Sequence, residues 1–131
     1  ESAIAAAHLI FGGVLDRFPK LTFVLPHAGG AFPWLVGRLH RGWEKRADLQ
    51  HIEHGPKDYL RRFYYDTIGY SDTVVEYLVR NIGADRVLMG SDYCFPIAYE
   101  RPVEVVAGNS LLTHEEQHAI LEVNARRLLR L

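Results

Sequence analysis

From Ser2 to Asp16 the apolar side chains Ile4, Ala7, Phe11, Val14 and Leu15 recur at intervals of three and four, with His8 on the same stripe. That spacing predicts a helix with Ser2 available as its cap, ended by Phe18-Pro19. Leu21 to Leu25 is a short apolar run bounded by Pro19 and by Pro26, Gly29 and Gly30, which predicts a buried strand followed by a helix from about Ala31 to Arg46. The text from Ala47 to Pro56 is polar and irregular, and Lys57 to Arg62 predicts one short helical turn. Phe63 to Thr67 reads as a second strand. A helix over Thr73 to Ile82 follows, capped at Ser71-Asp72, with Val74, Val75, Leu78 and Val79 on one face and Gly83 at its end. Arg86 to Gly90 is a third apolar strand, leading directly into Ser91-Asp92. The closing helix, His114 to Leu129, starts from Thr113 with Glu116 three residues on, the reciprocal capping pattern.

Strands too apolar to face water on either side, alternating with helices, predict an α/β fold of parallel βαβ units. Three such strands close no barrel and leave sheet edges unpaired, so the chain is expected to be one partial domain over residues 1–131, or to oligomerise. Its start at Glu1, without Met and inside a helical pattern, points the same way. No internal repeat or low-complexity tract interrupts the pattern.

Composition narrows the class. The chain has 131 residues, 48% hydrophobic and 24% charged, enough apolar side chain for a packed core, and a formal net charge of −1. With acidic and basic residues interspersed there is no basic stripe, so no nucleic-acid partner is expected. No apolar run reaches the length of a membrane span, and nothing at the start reads as a signal peptide. A lone cysteine, Cys94, offers no internal disulfide and fits a reducing cytoplasm.

In parallel α/β folds functional side chains collect at the carboxyl ends of strands, where loops and helix N-termini converge. The three strands deliver His27, Asp66 with Thr67, and Asp92 to that position. Imidazole and carboxylate both ligate divalent metals and both move protons near neutral pH. On position alone a strand-end Asp also serves as the cap of the next helix, and a strand-end His as a polar packing residue. For Asp66 the holding of Thr67 or of a loop amide is the favoured reading. Gly29 and Gly30 let the backbone turn sharply after His27. His8 reads as a packing residue on an apolar helix face, and His40, His114 and His118 as surface residues. The spacing of His51 and His54 would allow a weak surface metal site, although solvated loop histidines are commoner. Trp34 and Trp43 read as core or interface anchors.

At these residues the sequence resembles a specific family. Phe18-Pro19-Lys20-Leu21 through His27-Ala28-Gly29-Gly30, Gly90-Ser91-Asp92-Tyr93-Cys94-Phe95-Pro96 and Asn124-Ala125-Arg126-Arg127-Leu128 are similar, in order and spacing, to three segments of the amidohydrolase-2 family. That family includes aminocarboxymuconate-semialdehyde decarboxylase and aromatic acid decarboxylases. The resemblance implies the C-terminal part of a (β/α)8 TIM barrel of the metal-dependent hydrolase type. It implies Asp92 as a metal ligand and His27 as the catalytic residue acting on metal-bound water. Arg38, in Gly37-Arg38 on the following helix, is implied to bind a substrate carboxylate across a homodimer interface. The cofactor expected is a divalent metal, zinc first and manganese second. The family's His-x-His pair and its further metal-binding His lie upstream of Glu1, and Cys94 stands where the family has Pro.

The expected activity is a metal-dependent non-oxidative decarboxylation of a small aromatic or unsaturated carboxylic acid. Hydrolysis or hydration on the same scaffold is the alternative, since fold and motif fix the metal chemistry better than the substrate. A catalytically silent barrel fragment is the reading from a different class.

Overall fold

The computed structural model describes all residues from Glu1 to Leu131. Its elements are α1 (Ser2–Phe11), α2 (Val14–Arg17), β1 (Phe23–Leu25), α3 (Phe32–Lys45), β2 (Phe63–Asp66), α4 (Asp72–Ile82), β3 (Val87–Leu88), α5 (Pro102–Ala107), α6 (His114–His118) and α7 (Asn124–Leu129). The strands form a sheet in the order β1-β2-β3. Pairing of β2 with β3 is parallel, Tyr65 facing Val87 and Asp66 facing Leu88, with α4 as the crossover, as the alternating pattern predicts. No helix is long and apolar enough to cross a membrane.

The chain divides into two compact units, Glu1–Leu25 with Gly29–Tyr64, and Pro26–Ala28 with Tyr65–Leu131. In the first, the expected single helix from Ser2 to Asp16 is broken into α1 and α2, because Gly13 takes a left-handed φ of 65°. The buried stripe is Ala6, Ile10 and Leu15, whereas Ile4 and His8 are exposed, so His8 is not the packing residue the spacing suggested. Ser2 makes no capping bond; Glu1 takes the cap position. Strand β1 is shorter than expected and only Leu25 in it is buried, Val24 being 47% exposed. Phe63 at the start of β2 anchors the unit, its ring edge-on to Phe32 at 5.6 Å and tilted against Phe23 at 6.3 Å. Tyr59 donates to both oxygens of Asp16, at 2.7 and 2.8 Å, and burial together with that carboxylate holds its phenol well above the usual range.

The polar segment after α3 is tied down by its own histidines. His51 sits with one ring nitrogen 2.7 Å from the Phe11 carbonyl and the other 3.0 Å from that of Asp48. His54 lies beside Glu53 and stacks toward Tyr59, and the two loop histidines join no cluster of three or more metal-ligating side chains. His40 lies within α3, half-buried against Trp43, with Glu44 one turn on. Trp34 is 75% exposed and is no core residue of this unit.

The second unit buries Tyr65, Val75, Leu78, Val79, Ile82, Val87, Val106 and Ile120. Ser71 stands at the start of α4, but its hydroxyl pairs with Thr73 at 2.8 Å instead of capping a backbone amide. Helix α5 lies in a segment where the sequence pattern predicts none. The closing helix begins as expected, Thr113 and Glu116 exchanging their capping bonds at 3.2 and 2.8 Å. Its middle, Ala119–Val123, widens into a π-turn. At that turn the Ile120 carbonyl accepts from the Met89 amide at the end of β3, at 3.2 Å. Beside it, fully buried Asn124 donates from Nδ2 to the carbonyls of Ala84 and Val87, at 2.7 and 2.8 Å. The last helix thereby fixes where β3 ends, and the chain that follows β3 carries Asp92.

Candidate active site

Four consecutive residues after β1, from His27 to Gly30, all have positive φ (58°, 55°, 77° and 58°). Glycine tolerates this; His27 and Ala28 do so only because something holds them. That something is Asp66 at the end of β2. Its Oδ2 accepts from the His27 amide at 3.0 Å, and its Oδ1 accepts from the amides of Ala28 at 2.8 Å and Ile68 at 3.0 Å. Both carboxylate oxygens are thus spent on backbone amides, and Asp66 is a fastener for the turn that presents His27. Of the two roles open to it from sequence, the holding of loop amides is the one the structure shows.

The end of β3 is brought close by a second tie. Buried Thr67 accepts on Oγ1 from the Gly90 amide at 3.1 Å. A Cβ at Gly90 would lie 3.1 Å from Asp66 Cβ and from Ile68 Cδ1, closer than side chains ordinarily pack, so a larger residue would press those neighbours aside by a few tenths of an ångström. Asp92 then takes a positive φ of 63°, and the loop beyond closes on itself. Tyr93 donates its amide to Ser91 Oγ at 3.2 Å, Phe95 to the Asp92 carbonyl at 3.0 Å, and Tyr99 to the Ser91 carbonyl at 2.8 Å. The Tyr93–Cys94 peptide is cis.

This backbone work brings His27 Nε2 to 3.6 Å from Asp92 Oδ1. The imidazole is 58% exposed and the carboxylate 12%. The separation is too long for a direct hydrogen bond and suits a shared atom or water between them. The other carboxylate oxygen, Oδ2, accepts from Tyr70 Oη at 3.2 Å. Tyr70 also has a positive φ, 51°, and its ring lies against Tyr99 with centroids 4.7 Å apart. Desolvation, then the bond to Asp92, pushes its phenol above the ordinary range. An open, largely apolar groove of about 350 Å3 runs beside the pair, lined by His27, Asp92, Phe95, Pro96 and Ile97.

Of the residues singled out from sequence, His27 and Asp92 are brought together in the second unit. Arg38 lies exposed on α3 in the first. Tyr70 was missed: a single aromatic residue in a loop carries no spacing signal, and its contact with Asp92 spans 22 positions of chain. For a divalent cation the chain offers a carboxylate with one oxygen unbonded and an imidazole beside it, both of ligand chemistry, which fits a share of such a site. It is not a whole site: no group of three or more His, Cys, Asp or Glu side chains gathers anywhere, and catalytic zinc needs about three protein ligands.

The amidohydrolase family's sequence profile matches residues 1–131. The 2-amino-3-carboxymuconate-6-semialdehyde decarboxylase of Dictyostelium discoideum is 30% identical over 131 residues, covering 98% of this chain and 36% of its own length. The crystal structure of 5-carboxyvanillate decarboxylase from Sphingomonas paucimobilis superposes with a TM-score of 0.87 at 27% identity, over 98% of this chain and 39% of that one. A dihydroxybenzoic acid decarboxylase from Polaromonas, solved with bound manganese, shares the fold with a TM-score of 0.85 at 24% identity, over 98% and 39%. The chain therefore spans under two fifths of the curated relative's length, and its strands and helices are those of the C-terminal part of a TIM barrel. It belongs to the amidohydrolase family.

Proposed function

We propose that this chain supplies the His27–Asp92 portion of the active site of a metal-dependent non-oxidative decarboxylase acting on a small aromatic or unsaturated carboxylic acid. The observation that carries the reading is the convergence of His27 Nε2 and Asp92 Oδ1 to 3.6 Å at the mouth of an apolar groove. Decarboxylase relatives along nearly the whole chain support it.

In this reading Asp92 is one ligand of a divalent cation, zinc first and manganese as the alternative, and the cation supplies electrophilic polarisation when bound. The remaining ligands come from outside these residues. His27 is the proton carrier. Its Nε2 delivers a proton to the carbon bearing the carboxylate, and as the carbon–carbon bond breaks its electrons stay with the product while carbon dioxide leaves. The exposed face of the imidazole lets it recover a proton from water. Phe95 and Ile97 give the substrate an apolar wall. Arg38 holds a substrate carboxylate of the partner subunit's site in a homodimer, by the bidentate contact a guanidinium favours. The enzyme works in the cytoplasm, and residues 1–131 are part of a single domain.

The test is product analysis with the complete enzyme and a panel of aromatic and unsaturated carboxylic acids. Release of one carbon dioxide per substrate, with a proton taking its place, is expected. A product that has gained the elements of water and kept its carboxylate would make the protein a hydratase or hydrolase instead.

A further inference from the structure

We propose that Tyr70 is a positioning residue for Asp92: its phenol O–H holds Oδ2 and leaves Oδ1, the oxygen facing His27, as the one with which Asp92 ligates. The inference rests on the reading of Asp92 as a ligand and goes beyond it by naming what orients that carboxylate.

Three observations, all within the second unit, carry it. First, the carboxylate is divided: Oδ2 accepts from Tyr70 Oη at 3.2 Å, while Oδ1 has only His27 Nε2 nearby, at 3.6 Å. An aspartate free to rotate could present both oxygens to a cation; one whose second oxygen is held is fixed as a single-oxygen donor. Second, the phenol is itself fixed. Its ring packs on Tyr99 at 4.7 Å, and Tyr99 is bonded through its amide to the carbonyl of Ser91, the neighbour of Asp92, at 2.8 Å. Third, Tyr70 and Asp92 both hold left-handed backbone conformations, φ 51° and 63°, which side chains other than glycine rarely adopt. Conformations of this kind persist where the surroundings over-determine them, and they cluster at functional sites. Partners behind a metal ligand fix its orientation, and removing one lowers metal affinity or activity about 10- to 100-fold.

The experiment compares wild type, Tyr70→Phe and Asp92→Asn in the complete enzyme. Zinc and manganese affinities are read by competition with a coloured chelator, and thermal midpoints serve as a folding control. Tyr70→Phe keeps the ring on Tyr99 and removes only the hydroxyl. The expected result is a metal dissociation constant raised about 10- to 100-fold in Tyr70→Phe, with the thermal midpoint of the metal-free protein unchanged. Wild-type affinity in Tyr70→Phe, alongside loss of metal in Asp92→Asn, overturns the role of Tyr70 and leaves Asp92 standing. Full metal retention in Asp92→Asn overturns the reading of Asp92 itself, and Tyr70's role falls with it. A lowered midpoint without change in affinity makes Tyr70 a packing residue and also overturns the proposal.

Discussion

Removing the Asp66 carboxylate takes away, in one step, the acceptor for the amides of His27, Ala28 and Ile68. Hydrogen bonds to charged groups contribute more than neutral ones, and stranded donors add a desolvation cost. Asp66→Ala should therefore lower stability by about 3 kcal/mol in chemical denaturation. Asp66→Asn keeps the oxygen that serves Ala28 and Ile68 and turns an N–H2 toward the His27 amide, so its loss should be about 1–2 kcal/mol. If Asp66→Ala proved as stable as wild type, the turn that presents His27 would be held by something else. At this scale the His27–Asp92 pair was legible because position and motif coincided: each follows a strand, and each sits in a segment that resembles the family's. Tyr70 was not, because its role comes from the fold of a loop and from no repeat or spacing. The stripe through His8 failed for a different reason: α1 packs through Ala6 and Ile10, so the face that carries Ile4 and His8 is turned outward.

Among the elements, the closing helix does the most for the site. Asn124 donates to two carbonyls at the approach to β3 from a buried position, so Asn124→Leu removes both bonds, the Ala84 carbonyl keeping only the Val87 amide, and should cost about 1–3 kcal/mol, read as a shifted denaturation midpoint. The helix start is pH-sensitive in a definite direction. Arg80, bonded to Glu116, together with the Thr113 amide, holds the Glu116 carboxyl below its usual range. A depressed carboxylate contributes stability that is full above its unfolded-state value and is lost as pH falls through the lower, folded one. Stability should therefore decline on acidification below the ordinary glutamate range, and Glu116→Gln should flatten part of that decline; an unchanged acid limb would remove Glu116 from the account. The capping box was readable from Thr113 and Glu116 alone. The π-turn was not, because it answers the Met89 amide, a partner distant in sequence. Helix α5 was missed because Pro102 and three valines among its six residues read as anything but helix, and its position is set by burial of Val106 and by Gly108 at its end.

For the whole molecule, the proposed donors on this chain, Asp92 with His27 beside it, would make only a share of a metal site. Calorimetric titration of the chain alone with zinc should show no sub-micromolar binding, and tight binding would mean that a site is formed without further ligands. The proposed dimer gives a sharper test of Arg38. Arg38→Ala should lower kcat/KM about 10- to 100-fold, the worth of a charge-assisted contact. In mixtures of Arg38→Ala with His27→Asn, one site of each heterodimer regains both groups if Arg38 acts across the interface. Random pairing then restores about a quarter of wild-type activity, whereas no recovery places Arg38 in the same subunit's site. The parallel α/β class was readable from alternation alone; the TIM barrel of which it is part was readable only from the family resemblance.

The division of labour between His27 and Asp92 is tested most directly by measuring bound metal and turnover together, in His27→Asn and Asp92→Asn of the complete enzyme. The account predicts that Asp92→Asn is isolated without its metal. His27→Asn should keep a full equivalent and lose turnover by about 10²- to 10⁴-fold. Metal retained at wild-type level in Asp92→Asn, or wild-type turnover in His27→Asn, would contradict it.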